Sequence, residues 1–398
     1  MHIFMLVSAY QEKCYTNTGA ELQAETQLRR LKSKGHAITI IAKKRTLGSS
    51  FHETIDGVEV FRLWPPGLRT LSTLLLLFFA RKKCDIVHIH GQHFFGMAAI
   101  SLCNLLGIPT VLKITIAGRF FVRLSADKLF PRKWRPFRRL LNHVAGKASA
   151  YLAISKEIYD QMPLAGFLPE RIRLIPNGVD LNRFHPISAC EKKRLQTKLG
   201  LPEDKTIILY SSRLMHRKGF DLLLAAWPMI QAKFPEVCLV VVGSGGNTEV
   251  KALNKLAANV SPSKITYVGE VRDTSPYLQC SDIFIFPSRR EGLPNALIEA
   301  MACGVTCIAS DIGGCSDLIE PDKTGILFAS GDSNALSTVT VSLLSNQQKI
   351  QELGNNAYRL IQEKYNILTV VDQINYLYTE LQNKHTSNST LNYHIKQH

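Results

Sequence analysis

The sequence predicts an α/β protein that is built from two doubly wound domains. Its 398 residues exceed one average domain, and its 45% of apolar residues is ordinary for a globular chain. In both halves short apolar runs alternate with helical segments, which is typical of parallel sheets covered by helices on both faces. A turn-rich stretch around Asn177-Gly178 interrupts this alternation, so we place the domain boundary after it, at residue 186.

The first predicted domain, residues 1–186, begins with the strand "HIFMLVSA". The helix "AELQAETQLRRLKSKG" follows, because Leu22, Leu28 and Leu31 share one helical face and Gly35 suits the helix end. Further strands are predicted at "HAITIIA", "DIVHIHG", "PTVLKITIAG" and "AYLAIS". The segment "LSTLLLLFFA", before Arg81-Lys82-Lys83, is too short to span a bilayer. It fits a core helix with a charged end, our preferred interpretation, and it also fits a helix in a membrane interface.

The second predicted domain, residues 187–365, repeats the pattern. Its strands are predicted at "TIILYSS", "VCLVVVG", "KITYVG", "DIFIFPS", "GVTCIAS" and "GILF", with a helix from about Phe220. A last helix is predicted over 366–383, and the polar residues 384–398 are predicted to be disordered. Since open α/β sheets bind ligands at the carboxyl ends of their strands, we expect a site in a cleft between the two domains.

The net charge of +16 lies almost wholly in the first half of the chain. Residues 1–190 carry 27 basic and 12 acidic residues, whereas residues 191–398 carry 21 and 20. Such an asymmetry indicates a negative partner, which could be nucleic acid, an anionic membrane surface or a phosphorylated substrate; a merely solvated surface is the alternative. The basic cluster at 132–139 contains only Trp134 and Phe137 as aromatic residues, and no nucleic-acid motif accompanies it, which argues against nucleic acid.

The nine cysteines are scattered, and several lie in apolar runs, as expected of reduced thiols in the cytoplasm. No pair has C-x2-C spacing, and no histidine lies between Cys303, Cys307 and Cys315, so we predict no metal site there. The opening "MHIFMLVSAY" fits a first strand better than a signal peptide. These observations predict a cytoplasmic protein.

An acidic loop and helix, "EGLPNALIEA", follows the strand predicted at 282–287. Glu291 lies at the strand's carboxyl end, and Gly292 allows backbone to approach a ligand closely. With Pro294 in the first helical turn, the first backbone N–H groups of the helix would point at an anion or a sugar. Glu299 could accept two hydrogen bonds from a vicinal diol such as a ribose. The alternative is an acidic helix N-terminus that the helix dipole favours.

A basic loop, "SSRLMHRKG", follows the strand predicted at "TIILYSS". Arg213 and Lys218 lie at that strand's carboxyl end, where a bidentate guanidinium and an ammonium suit a diphosphate. Two solvated loop cations are the alternative. That alternative leaves their position opposite an acidic helix start unexplained.

Taken together, these motifs resemble the family-four retaining glycosyltransferases of the GT-B fold (glycosyl transferases group 1). The resemblance extends over most of the chain and is strongest over 173–330. The segments that carry it are "IPNGVDLNRFHP", "SSRLMHRKGFDLLLAA", "VVGSGG", "YVGEV", "CSDIFIFPSRREGLPNALIEAMACGVTCIASDIGG" and "TGILF". It implies two Rossmann-like domains that face an interdomain cleft.

The resemblance implies a role for each matching residue. Arg213 and Lys218 would grip the donor diphosphate and the departing nucleotide, and Glu291 would lie beside the transferred sugar. Glu299 would bind the ribose. The remaining donor-binding positions are Gly19, Val271, Gly292, Leu293, Pro294 and Asn295. Val271 would pack on the nucleobase, Gly19 would lie near the diphosphate, and the final helix would cross back to the N-terminal domain.

The chain departs from the family pattern on the acceptor side. Many members have a histidine at the end of the strand that corresponds to "TVLKITIAG". This chain has instead Thr115, Ala117, Gly118 and Arg119. The nearby His88, His90 and His93 are interpreted as core or supporting residues.

The expected function is retaining transfer of a sugar from a nucleotide-sugar to a glycan or lipid-linked acceptor, as in cell-surface polysaccharide assembly. No cofactor or metal is expected, because the chain has no Asp-x-Asp motif and Arg213, Lys218 and the helix start can stabilise the leaving diphosphate. The N-terminal domain is expected to contact an anionic membrane surface. A sugar-nucleotide epimerase or phosphorylase of the same fold is the alternative, and a basic nucleic-acid-binding protein is a more distant one.

Overall fold

The computed structural model describes residues 1–11, 19–44, 48–115, 140, 142–259 and 264–395. The chain divides into two compact units. The first unit comprises Met1–Gly178 and Ile367–His398, and the second comprises Val179–Asn366. Each unit contains one largely parallel sheet, so the predicted α/β class is confirmed.

The sheet of the first unit has eight strands. They are β1 (His2–Val7), β2 (Ala37–Lys43), β3 (His52–Ile55), β4 (Val58–Leu63), β5 (Ile86–His90), β6 (Thr110–Ile114), β7 (Ala150–Ala153) and β8 (Ile172–Leu174). Their order is β3-β4-β2-β1-β5-β6-β7-β8, and every neighbouring pair is parallel except β3 with β4. The labelled helices of residues 1–178 are α1 (Gly19–Ser33), α2 (Arg69–Ala80), α3 (Phe94–Leu106) and α4 (Lys156–Leu164). The strand order reverses between β1 and β5.

The sheet of the second unit has six parallel strands. They are β9 (Ile207–Ser211), β10 (Cys238–Val242), β11 (Ile265–Gly269), β12 (Ile283–Phe286), β13 (Thr306–Ser310) and β14 (Ile326–Phe328). Their order is β11-β10-β9-β12-β13-β14. This is the doubly wound order in which the topology switches between the first and fourth strands, here β9 and β12. The carboxyl ends of β9 and β12 therefore mark where a ligand should bind.

Helices cover both faces of the second sheet. They are α5 (Ala189–Leu199), α6 (Phe220–Lys233), α7 (Asn247–Asn259), α8 (Ser275–Gln279), α9 (Asn295–Ala302), α10 (Gly313–Ser316), α11 (Ser333–Leu344) and α12 (Gln347–Lys364). One apolar core joins α6, α11 and α12 to the sheet, and its largest fully buried side chain is that of Trp227. This packing fixes the two strand ends at the switch point.

The last helix, α13 (Ile367–Ile395), belongs to the first unit. Val370, Val371, Ile374, Leu377 and Tyr378 enter that unit's apolar core, where α13 packs against α1. The prediction of a disordered segment over 384–398 is wrong for the described part, which is helical to Ile395. A helix that tertiary packing has already nucleated extends at little cost, even through polar residues. Residues 396–398 lie outside the described residues.

The chain enters the second unit at Val179, eight residues before residue 187, where the second domain was predicted to begin. Val179 forms a β-bridge with Asn366, and its N–H donates to the Tyr365 carbonyl over 2.8 Å. The side chain of Arg183 pairs with Asp273 at 2.8 Å. The turn-rich segment therefore belongs to the second unit, because its backbone and side chains already bond there.

Among the described residues, no helix combines the length and the apolar character that crossing a bilayer requires.

Candidate active site

Two loops meet at the switch point of the second sheet. The first leaves β9, forms a 3-10 turn at His216–Lys218 and enters α6 at Phe220. The second leaves β12 and enters α9 at Asn295. Because β9 and β12 are paired neighbours, the loops after their carboxyl ends are brought side by side.

The approach of the two loops depends on Gly219. This residue has φ +69°, and a Cβ there would lie 1.7 Å from the Pro287 carbonyl oxygen. A side chain is therefore excluded by both the backbone conformation and the space. The Arg289 N–H donates to the Arg217 carbonyl over 2.9 Å, so backbone hydrogen bonding also joins the loops.

Lys218 and Glu291 form an ion pair where the loops meet. The Lys218 Nζ donates to the Glu291 Oε1 over 2.6 Å, and the side chains are only 16% and 12% exposed. The buried Ser288 lies with its Oγ 2.6 Å from the same carboxylate oxygen, and Arg217 approaches that oxygen to 3.7 Å. The pair is thus fixed in place by partners on both loops.

A second ion pair braces the same two loops from outside. Arg289 makes a bidentate contact with Asp221, with both N–O distances 2.7 Å, and it also donates to the His216 carbonyl over 2.6 Å. The hydrogen bonds to Asp221 raise the pKa of the Arg289 guanidinium. A bidentate pair holds a more specific geometry than a single contact, so it steadies the loop that carries Lys218.

Tyr210, on β9, braces the basic loop from below. Its hydroxyl lies 3.1 Å from the Arg213 carbonyl and 3.4 Å from the Lys218 carbonyl, so one buried side chain spans both ends of the turn. Burial raises the pKa of Tyr210, which stays a neutral donor. Arg213 itself is exposed at the carboxyl end of β9.

The acidic loop reaches α9 almost as the sequence predicts. The sequence predicted Pro294 in the first helical turn. The structure places it instead at the N-cap, with φ −77° and ψ 112°, and the helix begins at Asn295. An extended residue is needed there to turn the backbone from the loop into the helix. Gly292, Leu293 and Pro294 are buried. A Cβ on Gly314, in α10, would lie 2.4 Å from the Gly292 carbonyl oxygen, so glycine is required at this contact too.

Glu299 lies on α9 in a different environment from Glu291. Its carboxylate interacts with Arg183, Asp273 and Thr274, and burial raises its pKa to about 7 although Arg183 acts in the opposite direction. Val271 is half-buried in the loop after β11, two residues before Asp273. The loop before α9 and α9 itself therefore present two acids in two environments, with Glu291 salt-bridged to Lys218 and Glu299 close to its neutral form.

The first unit carries the remaining predicted residues. Gly19 is exposed at the first position of α1. His88 and His90 are buried in the core of that unit, and burial lowers the pKa of His88 to about 3. His93 differs, because it is half-buried and its Nε2 lies 2.9 Å from the Ser8 Oγ at the switch point between β1 and β5.

The acceptor-side positions of the first unit lie only partly within the described residues. Thr115 is half-buried just beyond β6, whereas Ala117, Gly118 and Arg119 lie outside the described residues. The basic cluster at 132–139 also lies outside them.

Several residues of the site were not predicted from the sequence. Arg289 and Asp221 pair across 68 residues, and Ser288 acts through a buried hydroxyl. No local sequence pattern predicts either contact. Asp273 and Arg183 stand beside Glu299 for the same reason. Gly314 had a signal in the Gly313-Gly314 pair, although its partner could not be inferred. Within the described ranges, no group of three His, Cys, Asp or Glu side chains gathers as a metal site.

Family models match both halves of the chain. One described as "Glycosyl transferases group 1" matches residues 191–360, and one described as "Glycosyltransferase Family 4" matches residues 17–183. Each model thus matches roughly one of the two units described above.

Individual relatives agree with these matches. The chain is 34% identical over 189 residues to a GDP-mannose-dependent monoacylated alpha-(1-6)-phosphatidylinositol monomannoside mannosyltransferase of Corynebacterium glutamicum, which is 45% of this chain and 49% of that protein. It is 27% identical to an Escherichia coli UDP-Gal:alpha-D-GlcNAc-diphosphoundecaprenol alpha-1,3-galactosyltransferase over 79% of this chain and 80% of that one. The crystal structure of Anabaena HepE in complex with UDP superposes with TM-score 0.76 and 21% identity, covering 96% of this chain and all of that one.

Two Rossmann-like units, each built on a largely parallel sheet, make up the GT-B fold that these solved structures share. The chain belongs to family four of these enzymes, with its N-terminal half matching one family model and its C-terminal half the other.

Proposed function

We propose that this enzyme transfers a sugar from a nucleotide-sugar to a hydroxyl of a lipid-linked glycan, with retention of anomeric configuration and without a metal ion. The observation that carries the proposal is the Lys218–Glu291 pair, which lies with Ser288 at the carboxyl ends of β9 and β12. Ligands of doubly wound sheets bind at this point. Retention is supported by membership of a family whose members retain configuration.

The proposed reaction breaks the bond between the anomeric carbon and the diphosphate oxygen. The anomeric carbon then bonds to the acceptor oxygen, whose proton is released, and negative charge develops on the departing diphosphate. Lys218 and Arg213 neutralise that charge, helped by the backbone amides where α9 begins. Fixed cations and amides placed before the reaction cost no reorganisation, so these groups can replace a metal ion.

Glu291 has two parts in this proposal. Its Oε1 holds the Lys218 ammonium at 2.6 Å, which positions the cation. Its second oxygen remains for a hydroxyl of the transferred sugar, beside the Gly292 to Asn295 backbone. Glu299, farther along α9, receives the ribose hydroxyls, and Val271 packs against the nucleobase.

The acceptor is proposed to be lipid-linked because named relatives act on such acceptors. One carries phosphatidylinositol in its name and another a diphosphoundecaprenol. The charge excess of the first half supports contact with an anionic membrane surface. All eight cysteines in the described part of the chain are free thiols, which supports work on the cytoplasmic face.

A donor panel tests the proposal. UDP-, GDP- and ADP-sugars are incubated with a lipid-diphosphate-linked sugar, and released nucleoside diphosphate is measured with and without EDTA. We expect one donor class to turn over only with acceptor, unaffected by EDTA, and NMR to show an unchanged anomeric configuration. Conversion of donor alone to an epimer, or a requirement for inorganic phosphate, would identify an epimerase or phosphorylase instead.

Nucleotide binding should depend on pH through Glu299. Hydroxyl donors favour the ionised carboxylate, whereas the free site holds it near neutral with a pKa of about 7. Affinity for the nucleoside diphosphate should therefore rise as pH increases through about 7, and binding near pH 6.5 should release a proton from Glu299. The pKa of Glu299 is higher in the folded protein than in the unfolded chain. Its contribution to the stability of the fold is therefore complete at a pH below the unfolded-state pKa, and it is lost as pH rises through about 7.

Calorimetry in two buffers of different ionisation enthalpy measures the proton release. Glu299→Gln is the matched control, because it keeps the shape and removes the titration. The phosphate groups titrate equally in both proteins, so the difference isolates Glu299. An identical pH profile in the two proteins would contradict the assignment.

A further inference from the structure

Helix α2 of the first unit has two apolar sides. Thr73 and Leu77 are its buried residues, and they lie on the side that packs into the unit. The opposite side is formed by large apolar residues spaced three or four apart along the helix. We call this set the α2 stripe, and its members are Leu68, Leu71, Leu75, Phe78 and Phe79.

The α2 stripe is open to solvent in the described structure. Phe79 is 77% exposed and Leu71 is 53% exposed, although both are large apolar side chains. Scattered apolar residues on a surface are ordinary, but a contiguous stripe on one helix face marks a contact surface. The sequence favoured a core helix here, and the structure buries only one side of it.

Basic residues outnumber acidic ones around the α2 stripe. Residues 60–84 contain five Lys or Arg, of which Arg62 is buried, and no Asp or Glu, and the exposed Asp85 follows them. Arg81, Lys82 and Lys83 are exposed directly after α2, and the Arg81 guanidinium lies 4.3 Å from the centre of the Phe78 ring. Trp64, before the helix, is also exposed. An apolar face with cations at its end and an aromatic residue nearby matches the headgroup region of an anionic bilayer.

The same charges argue against a second copy of the chain as the occupant. In a two-fold contact through this stripe, every charged residue from 60 to 84 on either copy would be basic. Among the charges of this segment, such a contact would bring only like charges together.

We propose that the α2 stripe is the surface by which this enzyme enters the headgroup region of an anionic membrane, an inference that rests on the proposed function for its lipid-linked acceptor. The helix lies in the plane of the interface. Its 12 residues measure about 18 Å, which is shorter than the hydrocarbon core of about 30 Å. The apolar side chains of the α2 stripe drive partition into the lipid. The charges of Arg81, Lys82 and Lys83 give the preference for anionic headgroups.

Vesicle co-sedimentation tests the inference with the full chain. We expect binding to vesicles of phosphatidylcholine with phosphatidylglycerol, weaker binding to phosphatidylcholine alone, and loss of binding at high salt. The double variant Leu75→Ser/Phe79→Ser should lower the partition coefficient by about tenfold or more, because two apolar side chains no longer leave water. Both residues are exposed, so thermal melting should show that the variant folds.

The matched control is Leu164→Ser/Leu174→Ser. These leucines are 56% and 48% exposed, and they lie in α4 and β8, whereas α2 packs against α3 and β4. This control should bind vesicles like the unmodified protein. Equal binding of both double variants, or no binding of the unmodified protein to anionic vesicles, would overturn the proposal. The proposal would also be overturned if the unmodified protein formed a dimer without lipid and the Leu75→Ser/Phe79→Ser variant were a monomer.

Donor turnover separates this inference from the proposed function. The vesicles carry no acceptor, so binding does not require transfer. If the protein binds through the α2 stripe and the donor panel fails, the membrane surface stands and the proposed function falls. If the protein transfers sugar to an acceptor in detergent and the Leu75→Ser/Phe79→Ser variant binds vesicles like the unmodified protein, the proposed function stands and the membrane surface falls.

Discussion

Replacing Lys218 with alanine should lower the turnover number by about a hundredfold to a thousandfold, because one preorganised charge on the leaving group is worth that much. The Lys218 Nζ lies in the loop after β9, where the departing diphosphate is proposed to bind. Arg213 remains in this variant, so some transfer should persist. The measurement is steady-state turnover at saturating donor and acceptor.

The structure offers a matched control for the loss of an ion pair. Lys192 pairs with Asp282 at 2.6 Å with similar burial, and that pair lies at the amino-terminal end of β12, away from the strand ends that hold Lys218. Lys192→Ala and Lys218→Ala should each cost about 1–3 kcal/mol in the free energy of unfolding, because each leaves a carboxylate poorly paired. Only Lys218→Ala should lose turnover. Equal turnover in the two variants would remove Lys218 from the proposed mechanism.

Replacing the two acids of α9 and its loop should have different effects. Glu299→Ala should weaken binding of the nucleoside diphosphate by about tenfold to a hundredfold, because hydrogen bonds to a charged group are worth about 1.5–3 kcal/mol. Glu291→Ala should leave that affinity within about threefold, since its removal leaves Lys218 free to contact the diphosphate. It should instead lower turnover by about a hundredfold, as expected for a contact made in the transition state.

Calorimetric titration and steady-state kinetics of both variants decide this division. Glu291→Gln keeps the size of the side chain and is the conservative comparison for turnover. If both alanine variants lose the same nucleotide affinity, the two acids do not divide ribose and sugar between them.

The parallel strands could be predicted because their burial on both faces leaves a continuous apolar run. "VCLVVVG" and "TIILYSS" predict β10 and β9 to within a residue at each end. The hairpin of β3 and β4 was missed because its strands mix charged and apolar residues. Its turn did carry a signal, since Asp56 and Gly57 have φ 51° and 69°, and Asp-Gly favours such two-residue turns. The three-residue β8 offers too few positions for any periodicity.

The candidate site could be predicted as a set of strand ends and not as a set of contacts. Strand ends follow from local sequence, so the loops of Lys218 and Glu291 could be located. That these two side chains touch is a pairing across 73 residues, which depends on β9 and β12 being neighbours. The raised pKa of Glu299 likewise depends on burial against residues from other loops.

The last helix, α13, has a consequence for the order in which the protein folds during synthesis. The core of the first unit includes Val370, Ile374 and Leu377, which the ribosome makes after the whole of the second unit, whose residues 179–366 are contiguous. Nascent chains usually complete their domains from the N-terminus onward. Here we expect the later-synthesised unit to close its core first, while the earlier sheet emerges with one apolar face still uncovered. That face is where a chaperone would bind the growing chain until α13 is released.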